Sequence, residues 1–217
     1  KFGVRIDPSS TTKRVFYDNS TAWIDQALQG SLDRLKTDYI DLYQMHYWDE
    51  ITPLEQVFEH LEKKCDQGVI RYYGVSNLAS PNNYKNDFPR LVSFSNEYSL
   101  ANREKEEDII SGVDQGMCFL GFGALGQGIL TGKYDLNSKF GKGDRRSNPK
   151  YTNFHGEKLI KNIKIVDALN EISSQKEGST HAQIAIKWVL THLNNSVVIA
   201  GIKNKKQLDD NLNVFKL

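Results

Sequence analysis

Short apolar runs of strand length alternate along this chain with segments whose apolar residues recur at helical spacing. Because strands that alternate with helices usually pair in parallel, this order predicts an α/β protein. The run from Met117 to Phe122 is almost wholly apolar, which is typical of a strand buried on both faces of a sheet. Counting predicts five strands and a strand remnant at Lys1. The five lie in Thr37 to Glu50, Val69 to Val75, Leu91 to Ser95, Met117 to Phe122 and Ser196 to Ala200.

The helices are predicted from apolar spacing and from end signals. Ser20 is the predicted N-cap of the first helix. Thr52, Pro53 and Glu55 supply an N-cap, a first-turn proline and a capping-box partner for the second helix, which Gly68 closes. Further helices or helical turns are predicted over Pro81 to Phe88, Arg103 to Gln115, Glu157 to Lys176, Ser179 to Leu193 and Asn204 to Val214.

Two polar stretches predict loops. The run up to Asn19 contains Pro8 followed by serines and threonines, and the long stretch from Gly123 to Gly156 is rich in Gly, Lys, Asn and Ser. The second stretch shows no periodicity, so we expect a mobile surface loop there.

Two architectures fit the alternation of strands and helices. A (β/α)8 barrel takes roughly 250 residues, so about 75 residues of the first units would be missing from these 217. An open doubly wound sheet would need no missing residues. The pattern alone leaves both open, and either one predicts a single domain over residues 1–217.

Composition limits which kinds of binding partner and which cellular compartment we expect for this protein. The net charge of +1 gives no global field to attract nucleic acid or an anionic membrane. No run is long and apolar enough to cross a bilayer, so we expect a soluble protein. Cys65 and Cys118 lie far apart without ligand spacing, which indicates free thiols in a reducing compartment, by default the cytoplasm.

The most informative stretch is TDYIDLYQMHYWDE, which begins at Thr37. As a strand, its period of two places Gln44 and His46 on one side and Asp41 and Met45 on the other. His46 is therefore the last side chain of its row, at the mouth of the sheet. A core strand with a satisfied polar residue at its end is the simpler interpretation of this stretch taken alone. Asp41 cannot pair with His46 across the strand, so it would need buried donors elsewhere.

Three motifs that contain glycine or lysine give weaker evidence of a binding site than this strand does. GFGALG from Gly121 follows a predicted strand, but no helix or later acidic strand completes a dinucleotide fingerprint. Gly132-Lys133 lacks the first glycine and the following Ser or Thr of a P-loop. Lysines at Lys203 and beyond, at the entry of the last predicted helix, oppose the helix dipole unless an anion shares the site. No metal site is predicted, since the histidines lack ligand spacing.

Several stretches in this order make the chain resemble the aldo-keto reductases. They are Lys1-Phe-Gly, SLDRLKTDYIDLYQMH from Ser31, GVIRYYGVSN from Gly68, SNEYSLANR from Ser95, GALGQGILTGKY from Gly123 and AGIKNKKQLDDN from Ala200. The resemblance covers nearly the whole chain. It implies a (β/α)8 TIM barrel, incomplete in this chain because the first strands are missing, with NADP(H) bound at the carboxyl ends of the strands.

The resemblance also implies roles for individual residues. His46 is similar to the family's active-site histidine and Lys1 to its catalytic lysine. Ser76 and Asn77 match the pair that holds the nicotinamide carboxamide. The remaining implied cofactor-binding residues are Ser95, Phe122, Gly123, Leu125, Gly126, Gln127, Gly201, Lys203, Gln207, Asp210 and Asn211.

Some family features differ or fall outside the chain. The resemblance places the general-acid tyrosine and its aspartate before the first residue. Ser95 stands where the family has glutamine, Gly123-Ala124 where it has Ser-Pro, and Tyr47-Trp48 where it has Trp-Pro.

The resemblance thus implies an NADPH-dependent reductase that converts an aldehyde or ketone to an alcohol. A non-catalytic NADP(H)-binding regulatory barrel and an inactive truncated paralogue are the alternatives. The expected partner is a small-molecule carbonyl compound, with no nucleic acid and no membrane, and homo-oligomer formation is left open.

Overall fold

A computed structural model describes residues 1–6, 15–176 and 178–217, which divide into two compact units. The amino-terminal unit comprises Lys1–Asn96 and Glu107–Leu120, and the carboxy-terminal unit comprises Glu97–Glu106 and Gly121–Leu217. The Pro8 part of the predicted first loop lies outside the described residues.

Parallel strands dominate the amino-terminal unit, as the alternation predicted. β3, β4 and β5 pair in parallel, and Met45 at the end of β3 aligns with Val75 of β4. Phe2 forms a parallel bridge with Met45, which confirms a strand remnant beside Lys1. A short antiparallel hairpin of β1 and β2 follows it. The strands are β1 Val4–Ile6, β2 Val15–Tyr17, β3 Ile40–Met45, β4 Ile70–Ser76, β5 Leu91–Ser95 and β6 Cys118–Phe122.

The helices of this unit bury only part of the apolar residues at helical spacing: Ile24 and Leu28 of the first helix are buried, whereas Leu35 is 63% exposed. α1 spans Thr21–Leu35, and the Ser20 side chain accepts a hydrogen bond from Trp23 N, which confirms the predicted N-cap. α2 spans Leu54–Asp66 and buries one apolar face. α3 spans Glu106–Asp114, and a short 3-10 helix spans Pro81–Tyr84.

The predicted N-cap of α2 is wrong. Pro53 occupies the N-cap position and makes no side-chain capping bond. The Thr52 hydroxyl instead donates to Asp49 Oδ2 at 2.8 Å. Asp49 draws the threonine back toward the preceding turn, so the hydroxyl is unavailable to the helix.

In the carboxy-terminal unit, helices and one further strand follow the predicted order. α5 begins with a complete capping box between Thr180 and Gln183. In the strand order of the sheet, β7 neighbours β6, whose residues Gly121 and Phe122 belong to this unit. The elements are α4 Gly156–Gln175, α5 His181–His192, β7 Ser196–Ile199 and α6 Lys205–Leu212.

Three loop and burial predictions are corrected by the structure. β6 alternates between buried and partly exposed residues, so it is not buried on both faces. Val15–Tyr17, predicted as loop, is strand β2. Asp41 is exposed and pairs with Arg71 at 3.1 Å, so it needs no buried donors.

The long stretch from Gly123 to Gly156 was predicted to be a mobile loop, and this is wrong for much of it. Ile129 and Leu130 are fully buried and Phe154 is nearly so, within one hydrophobic cluster that also contains Leu169 of α4. Ile129 and Leu130 lie in a short 3-10 segment at Gly126–Thr131 and Phe154 in one at Thr152–Phe154; a third such segment spans Arg145–Ser147. Periodicity could not find them, because each helical piece is too short to show a face.

Gly74 marks a close approach between β4 and β5. A Cβ at this position would lie 2.1 Å from Ser93 Oγ and 2.7 Å from Ser93 O. We expect Gly74→Ala to lower the free energy of unfolding by about 1–3 kcal/mol, because β5 must shift to make room. Urea unfolding measures the change. Gly141→Ala, where a Cβ meets nothing within 4 Å, is the matched control and should change little; an equal loss in both variants would contradict the steric explanation.

Candidate active site

His46 directly follows β3, and its backbone is held from two sides. Its N–H donates to Phe2 O at 2.9 Å, and Asn77 Nδ2 donates to its carbonyl oxygen at 3.1 Å. The first contact comes from the strand remnant that carries Lys1, and the second from the end of β4. The position of His46 is therefore fixed by the two neighbours of β3.

The electrostatic surroundings favour a neutral imidazole. Burial lowers the pKa of His46 from its ordinary 6.5, and the positive charge of Lys1 lowers it further. Partial burial likewise lowers the pKa of the Lys1 amine. Since a charged amine and an imidazolium repel each other, a charged Lys1 favours the neutral form of the imidazole. A neutral imidazole beside a cation can orient and polarise a carbonyl oxygen.

Ser76, Asn77 and Ser95 come together at the ends of β4 and β5. Asn77 adopts a left-handed backbone conformation with φ of 59°, and its N–H donates to Ser95 O at 2.9 Å. Its side-chain Nδ2 also donates to Ser76 Oγ at 3.1 Å. The Ser95 hydroxyl is completely buried and donates to Leu120 O at 2.7 Å. The structure thus brings these three residues and His46 into one hydrogen-bonded cluster.

An aromatic row borders His46, and the sequence did not predict it. The Tyr47 ring lies 4.8 Å from the His46 ring, and the Tyr17 ring of β2 stacks on Tyr47 at 4.9 Å. Trp48 Nε1 donates to Thr52 O at 2.7 Å. Tyr47, which stands where the family has tryptophan, is therefore the residue that contacts the β1–β2 hairpin. No local sequence signal revealed this contact.

In the carboxy-terminal unit, a sharp turn follows β6. Phe122 is half-buried and its carbonyl accepts from Tyr98 N at 3.0 Å. Gly123, Gly126 and Gln127 all have positive φ, and for Gln127 this conformation is uncommon. Leu125 has φ of −94° and ψ of 9°, Gly126 has φ of 55°, and the Gly126 N–H donates to Gly123 O at 2.7 Å, which closes the turn.

The last predicted cofactor segment lies at the start of α6. Lys203 N donates to Gln207 Oε1 at 2.7 Å, and Asn204 caps the helix through Gln207 N. The Asp210 carboxylate accepts from Thr180 Oγ1 at 3.1 Å and from Gln183 Nε2 at 2.8 Å, so it ties α6 to α5. Gly201 is exposed and Asn211 is half-buried.

A cation in an aromatic box organises the long segment before α4, and sequence reasoning missed it. The Arg146 guanidinium lies 4.9 Å from the Tyr134 ring centroid, 4.7 Å from that of Phe140 and 5.9 Å from that of Phe154. It also pairs with Asp144 at 2.5 Å. This hydrogen-bonded pairing lowers the pKa of Asp144 to about 2, and the charge of Lys203 adds to the effect. We call Arg146 with its three rings the Arg146 box.

Breaking the Arg146 box should expose this segment to proteolysis. We expect Arg146→Gln to raise the rate of chymotrypsin cleavage within residues 134–154 by about 5-fold or more, because the guanidinium that packs against all three rings is lost. Mass spectrometry of the fragments measures the rate at each site. Arg145→Gln, which changes an exposed neighbour, is the control. Equal cleavage of both variants would contradict the assigned role.

The sequence model of the Aldo/keto reductase family matches residues 11–217. This chain belongs to that family. Among curated aldo-keto reductases, yakc [NADP(+)] of Schizosaccharomyces pombe is 31% identical over the full length of this chain, and YhdN of Bacillus subtilis is 30% identical over 90% of it. The chain spans 64% and 59% of these two relatives, respectively.

Solved aldo-keto reductase structures agree with this assignment. The glycerol dehydrogenase AKR11B4 from Gluconobacter oxydans has a TM-score of 0.89 at 28% identity, over 99% of this chain and 65% of that one. The aldo-keto reductase AKR11C1 from Bacillus halodurans has a TM-score of 0.68 at 28% identity, over 93% and 64%. These comparisons confirm the predicted (β/α)8 barrel class, and the doubly wound alternative is wrong. The five parallel strands β3 to β7 fit part of such a barrel. In the part of the chain described here, no helix has the length and apolarity that crossing a bilayer requires.

Proposed function

We propose that this aldo-keto reductase chain carries the hydride-orienting part of an NADPH-dependent reductase that converts an aldehyde or ketone to an alcohol. The observation that supports this most is the cluster of His46, Lys1 and Asn77 in the amino-terminal unit. There burial and the charge of Lys1 lower the pKa of a histidine whose carbonyl is tied to the end of the neighbouring strand. An ordinary core histidine would need neither feature.

In this proposal, His46 donates a hydrogen bond to the substrate carbonyl oxygen. Because its imidazole is neutral, it can orient the carbonyl without carrying a competing positive charge. The positive charge of Lys1 favours the negative charge that develops on the oxygen during hydride transfer. The alkoxide that results takes up a proton, and the residues assigned here supply orientation and polarisation rather than that proton.

Each unit, taken by itself, offers groups that suit part of a nicotinamide dinucleotide. The cofactor would supply the hydride. Ser76 and Asn77 offer a hydroxyl and a side-chain amide at the strand end, groups that match the amide of a nicotinamide. Asn77 uses its Nδ2 on His46 O and Ser76 Oγ, which leaves its amide plane fixed. Phe122 would offer a ring for stacking, and the turn from Gly123 to Gln127 would face the pyrophosphate. The Gly126 N–H is already bonded to Gly123 O, so it would shape this turn rather than bind the anion.

The start of α6 would hold the adenosine end. Lys203 is exposed, and its charge contributes to the lowered pKa of Asp144 in the same unit. A 2′-phosphate would be a stronger partner for it. Gln207 and Asn211 lie on the same helix, while Asp210 is engaged with Thr180 and Gln183 and would contribute by fixing the helix.

A binding titration and an activity assay test the proposal. NADPH is added to the protein and cofactor fluorescence is followed, and then a panel of small aldehydes and ketones is assayed by loss of the reduced nicotinamide absorbance. We expect saturable binding and turnover of at least one carbonyl compound. Binding without turnover would favour the regulatory alternative, and no binding would favour the inactive one; either result overturns the proposed reduction.

The free thiols fit a reducing compartment as the place of action. Burial raises the pKa of both Cys65 and Cys118, which keeps them protonated and unreactive at neutral pH.

A further inference from the structure

Two segments of the amino-terminal unit are joined beside His46 by a reciprocal pair of hydrogen bonds. The backbone N–H of Asn19 donates to Asp49 Oδ2 at 2.7 Å, and the backbone N–H of Asp49 donates to Asn19 Oδ1 at 2.6 Å. Two residues earlier on each segment, Tyr17 and Tyr47 stack. We call this double attachment the Asn19–Asp49 clasp.

The Asp49 carboxylate is fully engaged in this clasp. Besides Asn19, it accepts from Ile51 N at 3.0 Å and from Thr52 N at 2.8 Å, both on Oδ1, and from the Thr52 hydroxyl on Oδ2. Burial by itself would raise the pKa of Asp49, but these donors lower it overall. The carboxylate thus stays charged at neutral pH and organises the whole turn between His46 and α2.

The Asn19 side chain packs against the segment that carries Lys1. Asn19 is completely buried, and its Nδ2 has no hydrogen-bond partner in the part of the chain that is described. A Cβ at Gly3 would lie 2.8 Å from that nitrogen and 2.7 Å from Tyr47 O. Gly3 therefore fits between the two halves of the clasp only because it has no side chain.

No regular helix or strand holds the backbone between Met45 and Leu54. Its position after His46 depends on side-chain contacts, and Asp49 supplies most of those described above. Tyr47, which contacts the His46 ring at 4.8 Å, lies inside this stretch. A shift of the turn would therefore move the wall against which the imidazole packs.

We propose that the Asn19–Asp49 clasp is a positioning device that sets Tyr47 and, through it, the imidazole of His46 for the carbonyl substrate. This inference rests on the proposed function of His46. Neither Asn19 nor Asp49 needs to touch the substrate. Small errors in the position of a polarising group cost large factors in rate, so the clasp should affect turnover rather than cofactor binding.

Asp49→Asn is the sharpest variant. Each carboxylate oxygen faces a backbone N–H that cannot change its role, so either orientation of an amide would set an NH2 group against a donor. We expect kcat to fall by on the order of 10-fold or more while the Kd for NADPH stays within about 2-fold. Asp41→Asn, an exposed acid-to-amide change on β3, is the matched control and should leave kcat unchanged.

A double-variant cycle separates positioning from general destabilisation. In a His46→Ala background, Asp49→Asn should cause no further fall in kcat, because the group it positions is gone. An equal fall in both backgrounds overturns the proposal. Thr52→Val removes a single hydroxyl donor from Asp49 and serves if Asp49→Asn fails to fold. It should lower kcat by a smaller factor, and no effect would also overturn the proposal.

A readout that needs no turnover keeps the two proposals distinguishable. The ring resonances of His46, followed by NMR in the NADPH-bound protein, should shift in Asp49→Asn or Thr52→Val and stay in place in Asp41→Asn. If the unaltered protein reduces no carbonyl tested, the proposed function fails while this shift still supports the clasp. Unchanged His46 resonances in the clasp variants overturn the clasp whatever the activity.

Discussion

Replacing His46 with alanine is expected to lower kcat for carbonyl reduction by on the order of 100-fold, while the Kd for NADPH changes by less than about 3-fold. In the proposed mechanism the imidazole acts on the substrate oxygen. The two backbone hydrogen bonds that hold His46, to Phe2 O and from Asn77 Nδ2, do not involve its side chain. The variant should therefore keep its fold and its cofactor site. Steady-state kinetics and a fluorescence titration measure the two quantities on the same preparation.

The pH dependence provides a second check on His46. Burial and Lys1 lower its pKa below 6.5, so the neutral form predominates at pH 7 and is lost as the pH falls through the lowered value. Reduction by the unaltered protein should therefore decline on the acid side below the ordinary histidine range. His60→Gln, on α2, removes an imidazole paired with Asp25 and should leave this profile unchanged. A His46→Ala variant with undiminished kcat would remove the histidine from the reaction.

Lys203→Ala is expected to weaken NADPH binding by about 10- to 100-fold and to leave NADH binding within about 2-fold. The difference follows from the 2′-phosphate, since a charge-assisted pair with a lysine is worth roughly 1.5–3 kcal/mol. Because NADH lacks this phosphate, its affinity serves as the internal reference. Isothermal titration or fluorescence titration with both cofactors gives the ratio.

Lys164→Ala, which removes an exposed lysine of α4 in the same unit, controls for a change in net charge. Its effect on both cofactors should be small and should disappear at higher salt. Equal weakening of NADPH and NADH by Lys203→Ala would show that the lysine contacts another part of the cofactor or acts only through the fold of α6.

Local sequence signals predicted correctly those elements whose boundaries depend only on neighbouring residues. Ser20 caps α1 as predicted, and β5 spans the predicted Leu91 to Ser95. The Thr52 prediction failed because a side chain three residues earlier, Asp49, competes for the hydroxyl. Capping propensity cannot register such a competitor, since its presence depends on how the turn folds.

Contacts between segments far apart in the chain could not be predicted from the sequence. Asn19 and Asp49 are thirty residues apart and join without any shared periodicity. Arg146 gathers Tyr134, Phe140 and Phe154 in a stretch that composition alone suggested would be mobile. For the candidate site, the family resemblance pointed to His46, Asn77 and Ser95, and the structure brings these residues together. The resemblance could not show which contacts fix their orientation.

The attachment of α6 bears on how tightly the adenosine end of a cofactor can be held. Every residue of this helix is described, and none is fully buried. Hydrogen bonds from Thr180 and Gln183 to Asp210 hold it in place, with little apolar surface to add to them. Segments of this kind open more easily than a buried sheet. Part of the binding free energy of a phosphate at Lys203 would then offset the entropy lost when the helix becomes ordered. NADPH and NADH would therefore differ mainly in their dissociation rates and less in their association rates.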